Sequence, residues 1–280
     1  MIGIQNIGNC SIYGKMNPVA KIFAILDEIV DHQEKGLSCS EIARSCSLPK
    51  STTHRILTAL LNSGHLVCDP DTKKYRGSLK LSRLGSQVIA HVNLRTIVHP
   101  YLLRLSDRTN YTCHLGILNE GMGVYLDKIE TGYYGIRLFS EIGKSFPLHC
   151  SALGKVLLAF LDPEGRSAIL KEELISLTPN TITDRSLLER QLTKIREHGY
   201  AVDREETTRG ILCVATPIRN ETEQVLAAIS VTFPSFAEKE KGLGHAIESV
   251  RECSEQISRM LRDDVIVSRK ITLEIAGMSL

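Results

Sequence analysis

The stretch from Ser38 to Ser63 constrains this chain more than any other, because it encodes two short helices and the tight turn between them. Ser38 and Glu41 stand at the S-x-x-E spacing of a capping box, in which the two side chains satisfy orphan backbone donors at a helix start. That spacing predicts a first helix over Cys39 to Ser45. Ser47-Leu48-Pro49 ends it, since the residue before a proline is pushed out of the helical region and proline itself suits a first helical position. A second helix is expected over Pro49 to Ser63, with Gly64 as its end signal.

In the second helix Thr53, Ile56, Leu57, Leu60 and Leu61 share one face at helical spacing, while Lys50, Ser51, Thr52, His54 and Arg55 occupy the other. Hydroxyls and cations at a helix N-terminus are what a helix-turn-helix presents to base edges and phosphates. The candidate DNA contacts are therefore Lys50, Ser51, Thr52, Thr53, His54 and Arg55, with Thr53 counted in both sets. From Ile42 to Cys68 there is no acidic residue to oppose a polyanion.

The net charge of +2 does not by itself argue for nucleic acid, so the distribution decides. From Lys15 to Lys80 there are 10 Lys and Arg against 7 Asp and Glu, which places the positive excess in the N-terminal part. The 8 cysteines are scattered, with no C-x-x-C pair or metal-ligand cluster, so neither a zinc site nor a disulfide framework is expected. No apolar run approaches the ~20 residues that span a bilayer, and Met1 to Lys15 lacks a signal-peptide core. These features describe a soluble, reduced, cytoplasmic protein with no membrane partner.

Along the chain, residues 1–16 read as a flexible tail, and Pro18 to Gln33 as an amphipathic helix that gives the two short helices a packing partner. His65 to Cys68 and Lys74 to Arg76 form strands around the turn Asp69-Pro70-Asp71-Thr72-Lys73, making residues 17–78 a winged helix-turn-helix with Lys73, Lys74 and Arg76 on the wing. Residues 79–92 read as a helical linker, 93–262 as a second domain and 263–280 as a C-terminal tail. In the second domain, helices are expected at Leu94–Thr109, Ala152–Phe160, Ser186–His198 and Leu243–Arg262, and strands at 112–119, 123–129, 134–139, 211–219 and 225–233. That pattern is α+β, with an antiparallel sheet flanked by helices.

Three stretches are recognisable: Leu48-Pro49-Lys50-Ser51-Thr52-Thr53-His54-Arg55, Phe146-Pro147-Leu148-His149-Cys150-Ser151-Ala152-Leu153-Gly154-Lys155, and Gly199 to Glu206 followed by Gly210 to Ile218. Their order and spacing resemble the IclR family of bacterial transcription regulators over about Asn17 to Arg262. The resemblance implies a winged helix-turn-helix bound to a palindromic double-stranded DNA operator. It also implies a GAF-like domain that binds a small carboxylate effector and assembles dimers or tetramers, with no enzyme activity and no cofactor. It further implies a regulator, here taken as a repressor, of a catabolic operon. Carried over by position, the effector contacts are the amides of Ala152 and Leu153 and the side chains of Asp203, Cys213, Ser230 and Thr232.

Physical chemistry agrees in part. A helix start at Ala152 offers N–H groups to a carboxylate, and Ser230 and Thr232 alternate onto one side of a strand. Asp203 would favour a ligand hydroxyl over a second carboxylate. The family more often has serine where Thr232 stands, so the added methyl would narrow the pocket. Without the resemblance, Ser230 and Thr232 read as a polar sheet face in water. An enzyme with Cys150 or Cys213 as nucleophile would need a base within reach, and a winged helix that binds protein rather than DNA is a further alternative. Gly154-Lys155 fails the phosphate-loop pattern, which requires glycine at His149 and a hydroxyl at Val156.

Overall fold

The computed structural model describes residues 17–90, 93–135, 138–171 and 173–278, so the expected 1–16 tail lies outside it. The chain divides into two compact units, Met1–Val88 and Ile89–Leu280.

In the first unit, α1 (Pro18–Asp31) is capped by Asn17, whose side chain accepts from the amide of Ala20. A short strand β1 (Leu37–Ser38) leads into α2 (Cys39–Ser45), where the capping box forms as expected: Glu41 accepts from the Ser38 amide at 2.7 Å. Ser47 then turns left-handed, with φ of 51°. The next helix, α3, spans Lys50–Asn62, so Pro49 is its N-cap rather than its first residue; ψ of 136° keeps that proline extended. Strands β2 (Leu66–Cys68) and β3 (Lys74–Gly77) flank a turn in which Asp69 accepts from the amides of Asp71 and Thr72. β1 pairs with β3, giving a three-stranded antiparallel sheet of order β1-β3-β2 where the sequence shows two strands. Ile25, Ile29, Ile42, Leu57, Leu60 and Leu66 close one core beneath the three helices. Leu79–Ala90 forms α4.

The second unit opens with α5 (Asn93–Thr109) and the hairpin β4 (Thr112–Asn119) and β5 (Met122–Ile129). Both turn residues, Glu120 and Gly121, have positive φ, which suits the twist of a two-residue hairpin. The segment expected as a strand over 134–139 is not one among its described residues. Gly135 donates back to the Gly132 carbonyl, and the Leu138 and Ser140 carbonyls are taken by the Lys128 ammonium instead of a neighbouring strand. The short β6 (Ser145–Phe146) forms the sheet edge. There follow α6 (Ala152–Phe160), α7 (Pro163–Ile169), α8 (Arg185–His198), β7 (Ala201–Arg204), β8 (Ile211–Arg219), β9 (Val225–Pro234) and α9 (Glu238–Asp263), which is kinked at Gly242.

The stretch 263–280, expected as a tail, instead holds a further helix among its described residues, α10 (Val265–Met278). Its start is capped by Asp264, and Ser268 and Ile271 are buried on one face at i, i+3 spacing. The six-stranded sheet is antiparallel throughout, in the order β6-β5-β4-β9-β8-β7. Its residues divide by alternation. Leu115, Val214, Ile229, Val231 and Phe233 pack against α5, α9 and α10, whereas Ala201, Ala215 and Ala228 pack against α6 and α8. Among the described residues no helix is long and apolar enough to cross a membrane.

Candidate nucleic-acid interface and small-molecule site

Lys50, Ser51, His54 and Arg55 are exposed on α3 and Thr52 is half-buried, so these side chains stand along one accessible edge of the helix start. No side chain caps α3 and no acid lies in its first turn, which leaves the positive end of the helix dipole uncompensated. Thr53 departs from expectation. It is fully buried, and its hydroxyl donates to the Pro49 carbonyl at 3.2 Å, so it belongs to the packing face alone. On the wing, Lys73 is exposed, with φ of 55°. Lys74 and Arg76 both reach the Lys35 carbonyl at 3.4 Å, and Arg76 also lies 3.8 Å from Asp69, so those two cations partly brace the turn before β1.

The second candidate site starts from α6. Every residue from Ala152 to Ala159 is buried, because the helix lies between α8 and the sheet. Ser151 caps it, accepting from the Gly154 amide at 3.0 Å and donating to the Pro147 carbonyl at 2.5 Å. Gly154 is required there, since a Cβ would sit 2.4 Å from the Leu148 Cα. The remaining residues come from strands on the same face. Asp203, Cys213, Thr232 and Thr112 form one row across β7, β8, β9 and β4, and Ala201, Ala215, Ser230 and His114 form the next. Ser230 and Thr232 are buried rather than water-facing, so the exposed-sheet alternative is overturned.

The Thr232 hydroxyl donates to the Cys213 sulfur at 3.3 Å. Asp203, fully buried, accepts from the Glu206 amide at 2.6 Å and from the Thr207 hydroxyl. Burial pushes its carboxyl up to about 6 despite those bonds. Beneath the site lies an ion pair that sequence reasoning missed: Lys155, fully buried in α6, donates to Glu206 at 2.5 Å and to the Val202 carbonyl at 2.7 Å. A lysine in the middle of an otherwise apolar helix is the signal that could have found it. His114 was also missed. It stands opposite Ser230, its Nε2 lies 2.8 Å from the Ser140 hydroxyl, and burial together with Lys128 drives its pKa down to about 3, so it is neutral.

The arrangement does not suit a cysteine nucleophile. Burial raises the Cys150 and Cys213 thiols well above the ordinary value, the reverse of what a thiolate needs. His149 lies beside Cys150 in sequence, but its Nε2 is 3.0 Å from the Ile175 carbonyl, to which it donates. The site instead offers amides, hydroxyls and one raised carboxyl on a buried face, which is recognition chemistry.

Comparison with known proteins matches both units to family models. Residues 18–70 match the IclR helix-turn-helix domain, and residues 86–259 match the bacterial transcriptional regulator IclR C-terminal domain. The chain is 35% identical over 244 residues to the HTH-type transcriptional regulator XynR of Escherichia coli (strain K12), covering 87% of this chain and 96% of that protein. It is 30% identical over 248 residues to the DNA-binding transcriptional repressor YiaJ of the same organism, covering 86% and 88% of the two chains. Among solved structures, an IclR homolog complexed with 4-hydroxybenzoate from Microbacterium hydrocarbonoxydans superposes with a TM-score of 0.73 at 26% identity, covering 88% of this chain and 100% of that one.

Proposed function

Because this chain belongs to the IclR family of DNA-binding transcription regulators, we propose that it represses a catabolic operon in the cytoplasm and is governed by a small carboxylate effector. The operator is palindromic and the protein binds it as a homodimer or a dimer of dimers. Two copies of α3 then lie in successive major grooves, with half-sites about one helical turn, ~10 bp, or a multiple of it apart. Lys50, Ser51, Thr52, His54 and Arg55 reach bases and phosphates, and Lys73 follows the backbone from the wing.

One observation carries the effector reading. The buried start of α6 lies over the strands that bring Asp203, Cys213, Ser230 and Thr232 onto a single face. Amide donors and a helix dipole at Ala152 and Leu153 suit a carboxylate, and the strand hydroxyls suit the oxygens of an oxidised acid. The relative crystallised with 4-hydroxybenzoate, an aromatic acid, supports an acid as ligand class, and the relative named a repressor supports the sign of regulation. The effector changes operator affinity only as far as it binds the free and DNA-bound arrangements unequally.

The test is a fluorescence-anisotropy titration of operator DNA across salt concentrations. Lys50→Ala with Arg55→Ala is expected to weaken binding and to lower the salt slope by about two, roughly one per lost phosphate contact. A double variant that holds operator DNA with wild-type strength and slope would sink the placement of α3 on DNA. For the effector half, Ser230→Ala is expected to weaken binding of the acid while leaving effector-free operator affinity unchanged.

A further inference from the structure

The ionisable groups around the effector face do not balance. Lys155 and Glu206 pair at 2.5 Å and neutralise each other. Asp203 is left with no base of its own, held by the Glu206 amide and the Thr207 hydroxyl, while the second oxygen of Glu206 is buried without a hydrogen-bond partner. Among the described residues, the ionisable groups that interact with Asp203 come from several elements. Lys155 comes from α6, Glu206 from the turn after β7, Cys213 from β8, Cys150 from the segment before α6 and Tyr125 from β5. The two thiols and the tyrosine hydroxyl are raised by burial and stay neutral, and the neutral His114 lies one row away. An acid bound at the α6 start therefore adds a second anion without a counter-cation to a buried site that already holds one.

We propose that Asp203 takes up a proton from solvent when an anionic effector binds, and that the site thereby admits a monocarboxylate and rejects a dicarboxylate. The inference rests on the reading of a carboxylate at the Ala152 and Leu153 amides. Like charges confined in low dielectric do not both ionise; the one that is easier to protonate gives way. Asp203 is that group, because burial has already brought it up to about 6, whereas a simple carboxylic acid held by amide donors keeps its charge. The balance is one proton from water to an Asp203 carboxylate oxygen per ligand bound. The neutral carboxyl still accepts from the Glu206 amide through one oxygen and can now donate from the other, to Thr207 or to an oxygen of the ligand. A dicarboxylate would bring a third anion with only one proton-accepting partner to offset it.

Titration calorimetry on the full chain with glycolate, pyruvate, 4-hydroxybenzoate and D-gluconate as probes, in two buffers of different ionisation enthalpy, reads the effect directly. For whichever probes bind, Kd is expected to rise at least tenfold between about pH 6 and pH 8, approaching a factor of ten per unit once Asp203 is ionised in the free protein, with up to one proton taken up. Asp203→Asn, which cannot titrate, is expected to bind with a Kd that is flat over this range. Succinate is expected to bind at least tenfold more weakly than the best monocarboxylate. Binding without proton uptake, a wild-type pH profile in the folded Asp203→Asn variant, or succinate binding equal to that monocarboxylate each overturns this inference alone. Failure of all four probes to bind overturns the carboxylate reading, and this inference falls with it. The wild-type profile decides the matter even where the asparagine variant fails to fold.

Discussion

The starts of α3 and α6 offer the same backbone chemistry, unpaired N–H groups at the positive end of a helix, in opposite surroundings. α3 has no side-chain cap and exposes Lys50, Ser51, His54 and Arg55. α6 is capped by Ser151 and buries every residue from Ala152 to Ala159. At the open start, charges are screened by water and salt, so a substitution there changes what is bound and leaves stability nearly untouched. At the closed start each polar group depends on its neighbours, so recognition and stability cannot be varied separately.

The largest expected effect tests that coupling. Lys155→Met removes the base of a fully buried ion pair and strands Glu206, which is 4% exposed, without a counter-charge. A loss of about 3–5 kcal/mol from the effector domain is expected, read by urea unfolding. A loss under about 1 kcal/mol would mean that water reaches Glu206 and that the closed site is not closed. Gly154→Ala comes next, because its Cβ would meet the Leu148 backbone at 2.4 Å. Overpacking of that kind costs about 1–3 kcal/mol, and here it also lifts the Ala152 and Leu153 amides from their place, so effector affinity is expected to fall in the same variant.

The same contrast explains what the sequence makes legible. The open region is written locally: the capping box of Ser38 and Glu41, the proline break and the turn at Asp69 each lie within a few residues, and α2 begins and ends where they predict. The central hairpins of the second unit are as plain, since alternation and polar turns mark β4, β5, β8 and β9. What stayed hidden depends on partners far along the chain. β1 is two residues long and exists only through pairing with β3. The segment over 134–139 has a strand-like composition, but Lys128 takes the carbonyls at Leu138 and Ser140. α10 is held by Ser268 bonding Glu221 and by Glu274 accepting from the Asn93 amide, contacts across 47 and 181 residues. The Lys155–Glu206 pair, 51 residues apart, is hidden for the same reason.

A smaller effect separates capping from recognition. Ser151→Ala removes both the acceptor for the Gly154 amide and the donor to the Pro147 carbonyl, and about 1 kcal/mol of stability is expected to go with them. At α3 the counterpart is the double change Lys50→Ala with Arg55→Ala, whose unfolding midpoint is expected to stay within about 0.5 kcal/mol of wild type while operator affinity falls. Equal stability losses at the two starts would erase the distinction between them.

The smallest effect is expected one residue inside the open helix start. Thr53 lies between Thr52 and His54 in sequence, yet it is fully buried and its hydroxyl donates to the Pro49 carbonyl. That carbonyl also accepts from the Thr53 amide at 3.0 Å, so removing the hydroxyl leaves no buried acceptor empty. Thr53→Val keeps the shape and is expected to cost under about 1 kcal/mol, with operator affinity and base preference unchanged. Thr52→Val, its half-exposed neighbour, is expected to alter base preference at one operator position with no measurable change in stability. Parallel binding assays on operators substituted one base pair at a time check the pair. If Thr53→Val relaxes specificity as far as Thr52→Val does, α3 must turn about its axis on DNA, and the division of its two faces drawn from the free protein would not survive binding.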